Sequence, residues 1–157
     1  MKTADLVDRF DAKVQACDLA FRRFGQVRSF WGPIATVHCF EDNALLRACL
    51  EAPGNGRVMV VDGGGSIRCA LMGDQIASLL MARGWAGALI HGAIRDSVEI
   101  DELEVGVLGI ATTPKKSAKT GSGQRDVPVS FGSARFEPGH YVYCDADGVL
   151  VSGEKLI

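Results

Sequence analysis

Three charged residues stand where an α/β protein can bind an anion and a metal ion. Asp74 follows Gly73 at the predicted start of a helix, and Arg95 and Asp96 follow an apolar strand predicted over 87–92. Ligands of α/β sheets bind outside the carboxyl ends of the strands. The Arg95 guanidinium can hold a carboxylate in a bidentate pair, and the two aspartates offer the hard oxygen ligands that Mg²⁺ and Mn²⁺ prefer.

These groups suit the chemistry of a 2-oxo acid. The backbone N–H groups of Gln75 and Ile76 point out of the predicted helix start, where a carboxylate or phosphate binds. A metal ion beside the keto oxygen stabilises the charge that develops there when the C–C bond one carbon beyond the keto carbon breaks and leaves an enolate. The residues therefore favour metal-dependent C–C cleavage through an enolate.

Structural roles for the same residues stay open at this point. Asp74 can serve only as a helix N-cap, and Arg95 with Asp96 can form a solvated ion pair worth about 0–1 kcal/mol. The glycine run 63–65 can simply allow a sharp turn. It is not followed by the lysine of a Walker A loop, and Arg68 occupies the last glycine position of G-x-G-x-x-G.

The other aldolase mechanism uses a lysine Schiff base, which the distribution of lysines disfavours. No lysine occurs between Lys13 and Lys115. Lys115, Lys116 and Lys119 lie in a polar segment, 114–126, that predicts a surface loop rather than the dry pocket such an amine requires.

The elements that position these residues form a βαβ unit. The segment 57–61 is short, apolar and β-branched and predicts a buried strand, and 87–92 predicts a second one parallel to it. An apolar helix begins at Gly73-Asp74 and ends at Gly84. Elsewhere the patterns predict an N-terminal helix over 3–17 capped by Thr3, a strand over 31–40, a helix capped by Asp42-Asn43, an apolar strand over 105–112, and short strands over 127–131, 134–136, 141–144 and 148–151. The chain is thus predicted to be one α/β domain, residues 1–157, with mixed sheets.

Composition excludes several classes of protein. The 157 residues carry a formal net charge of −2, without the basic surplus of a nucleic-acid binder. The first residues contain no apolar segment of signal length, and no run of about 18 apolar residues occurs, so we expect a cytoplasmic protein. The five cysteines form no C-x-x-C motif and are predicted to be free, buried thiols.

The site residues resemble a known family. Gly73-Asp74, twenty intervening residues and Arg95-Asp96 reproduce the D-x20-R-D pattern of class II 4-hydroxy-4-methyl-2-oxoglutarate aldolases in the RraA-like family. The segments 39–43, 60–66 and 141–148 are also similar to that family, so the resemblance spans almost the whole chain.

The resemblance implies a swivelling β/β/α domain that assembles as a homotrimer. It implies cleavage of 4-hydroxy-4-methyl-2-oxoglutarate into two pyruvates, with secondary oxaloacetate decarboxylation, dependent on Mg²⁺ or Mn²⁺. By the family pattern Asp96 is the metal ligand and Arg95 holds the substrate and stabilises the enolate. The segment Gly73-Asp74-Gln75-Ile76 binds substrate, and Asp74 supports the metal's waters.

The same family implies an alternative function. Some members, the regulators of ribonuclease activity A, bind and inhibit an RNA-degrading endonuclease. The best-known regulator pattern lacks an aspartate after the arginine, and this sequence keeps Asp96, which favours the enzyme. Longer aldolases of the family carry an extension beyond the position of Ile157 that can add an acidic residue to a neighbour's metal shell, so we expect a lower rate here on the large substrate.

Overall fold

Twelve strands and four α-helices make up the protein in the computed structural model, which describes residues 1–157. The helices are α1 Thr3–Phe10, α2 Ala44–Leu50, α3 Asp74–Ala82 and α4 Ser97–Asp101. The strands are β1 Val14–Cys17, β2 Arg22–Phe24, β3 Phe30–His38, β4 Val58–Asp62, β5 Ala70–Met72, β6 Gly87–Ile94, β7 Val107–Thr112, β8 Gln124–Arg125, β9 Val129–Phe131, β10 Ala134–Phe136, β11 Tyr141–Cys144 and β12 Val149–Ser152. No helix has the length and apolar character needed to cross a membrane.

The predicted βαβ unit lies at the centre of a mixed sheet. Strands β3, β4, β6 and β7 are neighbours in that order and run parallel, with Val58 opposite Gly87 in the β4–β6 pair. Strand β2 pairs antiparallel with β7, while β11, β12 and β1 continue antiparallel from β3. Strand β5 pairs with β6, β8 pairs with β3, and β9 with β10 forms a separate hairpin.

The parallel strands are buried on both faces, which gives the domain its layers. Met59 and Val61 of β4 pack in a core with the helices α2, α3 and α4, whereas Val58 and Val60 pack in a second core with the hairpin and the antiparallel strands. Alternate residues of a strand point to opposite faces, so a continuous apolar run serves both cores. The order of layers is helices, parallel sheet and antiparallel strands, which confirms the predicted α/β fold with a mixed sheet.

The predicted N-terminal helix over 3–17 is wrong in its length and its cap. Helix α1 ends at Phe10, and Val14–Cys17 is an edge strand paired with β12. This pairing satisfies backbone groups along β12 that a longer helix would leave unpaired. Thr3 is not the cap. It is buried, and its N–H and hydroxyl both donate to the Asp145 carboxylate, at 2.6 and 2.7 Å. A carboxylate at a helix N-terminus stabilises the helix.

Three short strands, β2, β5 and β8, escaped sequence analysis, and β5 matters for the site. Strands β2 and β5 have three residues each and β8 has two, too few for an alternating pattern to show. Strand β5, Ala70–Met72, lies against the end of β6 and leads directly into α3.

The cysteines follow expectation, since all five are free and buried.

Candidate active site

Asp96 adopts a backbone conformation that directs its side chain to the start of α3. Its φ of 54° lies in the left-handed region, which aspartate tolerates better than most residues. The chain thereby turns sharply between the end of β6 and α4. In this arrangement one oxygen of the Asp96 carboxylate, Oδ2, accepts the backbone N–H of Asp74 at 3.2 Å. The acidic group thus occupies the N-terminus of α3, where negative charge is favoured.

Gly73 provides the space that this contact requires. A Cβ atom at this position would lie 2.6 Å from Asp96 Oδ2 and 3.5 Å from Arg95 Nε. Gly73 is also the N-cap residue of α3, and Asp74 is its first helical residue. The open interpretation of Asp74 as the N-cap is therefore wrong, and the Asp74 side chain is free of that role.

Arg95 is anchored by its backbone and exposes its guanidinium. Its N–H donates to the Met72 carbonyl of β5 at 2.9 Å. Its Nε lies 3.8 Å from Asp96 Oδ2, and the two side chains are 40% and 36% exposed. An ion pair this open contributes at most about 1 kcal/mol to stability, and both groups remain accessible to a ligand.

All six residues predicted for the site line one small cleft of about 100 Å³. The geometry places them together at the carboxyl end of the parallel strands, as the βαβ unit requires. The full lining is Asn43, Arg47, Ala70, Gly73, Asp74, Gln75, Ile76, Arg95, Asp96, Lys116, Ser117 and Lys119. Four cationic side chains therefore face two carboxylates, which gives the cleft a net positive charge suited to an anion.

Sequence analysis did not predict that the segment 115–121, which we call the pinned segment, is fixed beside the cleft. It was predicted as part of a solvated loop, yet its Lys116 and Lys119 line the cleft. Lys119 Nζ donates to the Asn43 side-chain oxygen at 3.2 Å, and Asn43 Nδ2 donates to the Leu71 carbonyl at 3.2 Å. Both lysines are exposed to solvent, unlike the amine of a typical Schiff-base enzyme.

Asp42 fixes the pinned segment to the rest of the domain. Its carboxylate accepts the backbone N–H groups of Thr120 at 2.7 Å and Gly121 at 3.2 Å, together with the Thr120 hydroxyl. Burial raises the pKa of Asp42, but these hydrogen bonds and one from Ala44 lower it by more, so its pKa lies below the usual range. The signal available in the sequence was the position of Asp42-Asn43, just past the end of a parallel strand.

The donor atoms of the cleft fit a hard divalent cation. Nowhere does the protein group three or more His, Cys, Asp or Glu side chains as a ready metal cluster. The cleft instead offers the carboxylates of Asp74 and Asp96. Mg²⁺ is commonly held by one or two carboxylates, with water and substrate completing its shell.

His91 lies outside the cleft and supports the glycine-rich turn. Its Nδ1 is 3.3 Å from Asp62 Oδ1, and its ring stacks on Phe131 with centroids 4.7 Å apart. The His91 carbonyl accepts the N–H groups of Gly63 and Gly65, both at 3.1 Å. These contacts give His91 a structural role in holding the turn after β4.

Comparison with known proteins identifies the family. The RraA-like family, described as Aldolase/RraA, matches residues 3–151, and the chain belongs to this family. A Geobacillus kaustophilus structure named S-adenosylmethionine: 2-dimethylmenaquinone methyltransferase is 54% identical, with a TM-score of 0.98 over 99% of this chain and 97% of that one. The RNA-processing inhibitor RraA from Thermus thermophilis is 43% identical, with a TM-score of 0.96 over 100% and 95%. An unusual member of the RNase ES inhibitor RraA protein family from Streptomyces coelicolor is 30% identical, with a TM-score of 0.71 over 94% and 76%.

Proposed function

We propose that the protein is a divalent-metal-dependent aldolase that cleaves 4-hydroxy-4-methyl-2-oxoglutarate into two pyruvates and decarboxylates oxaloacetate as a secondary activity. The observation that carries this proposal is the convergence of Arg95, Asp96 and the first turn of α3 on one cationic cleft. Membership of a family described as Aldolase/RraA supports it.

The chain's own residues account for binding of the 2-oxo acid head. Its carboxylate binds the free N–H groups in the first turn of α3, at Gln75 and Ile76, and pairs with the Arg95 guanidinium. Lys116 and Lys119 attract the anion into the cleft and lower the electrostatic cost of a second carboxylate.

The two aspartates of the cleft, Asp74 and Asp96, have different roles in this proposal. Asp96 would hold the metal ion, Mg²⁺ or Mn²⁺, and Asp74 would orient its waters. When bound, the metal supplies a Lewis acid that polarises the keto oxygen of the substrate. Arg95 shares the negative charge of the enolate that forms, and the Asp74 carboxylate is the base that accepts the proton of the substrate hydroxyl.

Replacement of Arg95 tests this assignment. We expect Arg95→Ala to lower kcat/KM for aldol cleavage by roughly 100-fold or more, because it removes a charged stabiliser of the enolate. Pyruvate release in the presence of Mg²⁺ measures the rate. Arg83→Ala is the matched control, since Arg83 is exposed at the opposite end of α3. Failure of the wild-type protein to act on either substrate above the free-metal background would exclude the aldolase.

Inhibition of an RNA-degrading endonuclease is the second candidate. The 43% identity to the Thermus RNA-processing inhibitor favours it, and an interaction surface need not overlap the cleft. Immobilised protein should then retain the endonuclease at low salt and slow its cleavage of RNA. A protein that neither retains the endonuclease nor changes its rate would dismiss this candidate.

A further inference from the structure

We propose that the Ser117 hydroxyl donates a hydrogen bond to the substrate oxygen that loses its proton in aldol cleavage, and that Ser117 thereby selects substrates with a hydroxyl group beside the breaking bond. This inference rests on the proposed function and adds a specificity-determining residue to it. Ser117 belongs to the pinned segment and is the only residue of the cleft lining whose side chain is a hydroxyl.

The backbone on both sides of Ser117 is tied to the rest of the domain. The Ala70 N–H donates to the Lys115 carbonyl at 2.8 Å, and the Ala118 N–H donates to the Glu41 carbonyl at 3.0 Å. Ser117 lies between these two bonds and is only 6% exposed, although it lines the cleft. A buried side chain on a backbone held at both sides keeps one position, which is what orienting a substrate group requires.

The Ser117 hydroxyl has hydrogen-bonding capacity left for a ligand. Its one bond within the protein goes to the carbonyl of the next residue, Ala118, at 2.9 Å. That carbonyl also accepts the Asn43 N–H at 3.2 Å, so it keeps a partner when the hydroxyl turns to a ligand. A serine hydroxyl rotates to suit its partner, and it offers one donor and two acceptor lone pairs.

The other polar groups of the cleft suit other parts of the substrate or are already engaged. Arg95 and the two lysines are cations, which match the substrate carboxylates. The Asn43 side-chain amide donates to the Leu71 carbonyl at 3.2 Å, and Gln75 is exposed to solvent. Ser117 is therefore the fixed neutral donor available to a neutral hydroxyl group.

The hydrogen bond from Ser117 acts on the step that breaks the C–C bond. In that step the hydroxyl proton passes to the Asp74 carboxylate, the hydroxyl oxygen becomes a carbonyl oxygen, and the electrons of the broken bond stay on the enolate. A donor at this oxygen turns the O–H toward Asp74 and stabilises the negative charge that appears as the proton leaves. Oxaloacetate has no hydroxyl at this position and releases CO₂, so its decarboxylation does not use the contact.

Binding without turnover tests the contact. In EDTA, which removes the metal that the proposed cleavage needs, calorimetry would compare 4-hydroxy-4-methyl-2-oxoglutarate with 4-methyl-2-oxoglutarate, which lacks only the hydroxyl. We expect the wild-type protein to bind the hydroxylated ligand about fivefold more tightly, the equivalent of one neutral hydrogen bond. Ser117→Ala and Ser117→Cys should both lose this preference, because a thiol nearly keeps the size of the side chain but is a weak donor. Ser122→Ala, at an exposed position of the same loop outside the cleft lining, is the matched control and should keep it.

Turnover in Mg²⁺ provides the second readout. In both Ser117 variants, kcat/KM for aldol cleavage should fall about tenfold, while that for oxaloacetate decarboxylation stays near its wild-type value. Equal falls in the two reactions, or variants that keep the wild-type ratio of the two Kd values, would overturn the inference. A protein that turns over neither substrate, but whose preference for the hydroxylated ligand disappears in the variants, would refute the aldolase while leaving Ser117 as a hydroxyl-binding residue.

Discussion

Asp96 is the residue on which the geometry of the site depends most. Its left-handed backbone, φ 54°, costs of order 1–3 kcal/mol for most residues and persists only where the surroundings impose it. Here the hydrogen bond from the Asp74 N–H holds the carboxylate at the start of α3. The absence of a side chain at Gly73 leaves room for the carboxylate there.

Substitution of Gly73 tests this geometry at the residue scale. We expect Gly73→Ala to lower kcat/KM roughly 100-fold, because the added methyl displaces Asp96 Oδ2 and a 1 Å misplacement at a site can cost that much. The free energy of unfolding should change by less than about 2 kcal/mol, since a partly exposed side chain can move aside. Gly148→Ala is the control, because its new Cβ meets nothing within 4 Å. A Gly73→Ala protein with the wild-type rate would contradict this account of the site.

At the scale of elements, the cleft is built from two parts that differ in how far the sequence predicts them. The βαβ unit was predictable, because β4 and β6 are short apolar runs bounded by glycine, and adjacency of parallel strands brings Asp74 and Arg95-Asp96 to one edge. The pinned segment was not, because its position depends on hydrogen bonds to Asp42, 78 residues away in sequence. The prediction for strand β1 was wrong for the same reason, since its four residues become a strand only by pairing with β12, which is distant in sequence.

The contacts of Asp42 give a prediction about the pinned segment. Asp42→Asn should lower the free energy of unfolding by about 1–3 kcal/mol at pH 7, because an amide replaces the acceptor of several partly buried hydrogen bonds. The KM should rise as Lys116 and Lys119 shift. Urea unfolding measures the first effect, with Asp8→Asn, an exposed position in α1, as the control.

The pH dependence of this effect has a definite sign. The folded-state pKa of Asp42 is lowered, so the carboxylate contributes stability above the unfolded-state pKa, about 3.9, and loses it as the pH falls through the folded value. The difference between wild type and Asp42→Asn should therefore be full at pH 7 and shrink below about pH 4. An equal difference at pH 7 and pH 3 would show that the charge of Asp42 is not responsible.

At the scale of the whole molecule, the homotrimer implied by the family resemblance stays a prediction. Two large apolar side chains beside the glycine-rich turn, Phe40 and Ile67, are 54% and 56% exposed, which is the kind of surface that subunit contacts cover. Light scattering should give about three times the chain mass of 16.7 kDa. Replacement of both residues by serine should lower that mass, and a wild-type protein with the mass of one chain would refute the trimer.

Oxaloacetate decarboxylation by the wild-type protein and Asp96→Asn is the most direct test of the aldolase proposal. Asparagine also tolerates the left-handed conformation, so this change removes the charge with little added strain. We predict Mg²⁺-dependent turnover that EDTA abolishes and that falls roughly 100-fold or more in the variant, because the enolate loses its main electrostatic stabilisation. Turnover that survives EDTA, or equal rates for the two proteins, would contradict a metal-dependent enolate site at Asp96.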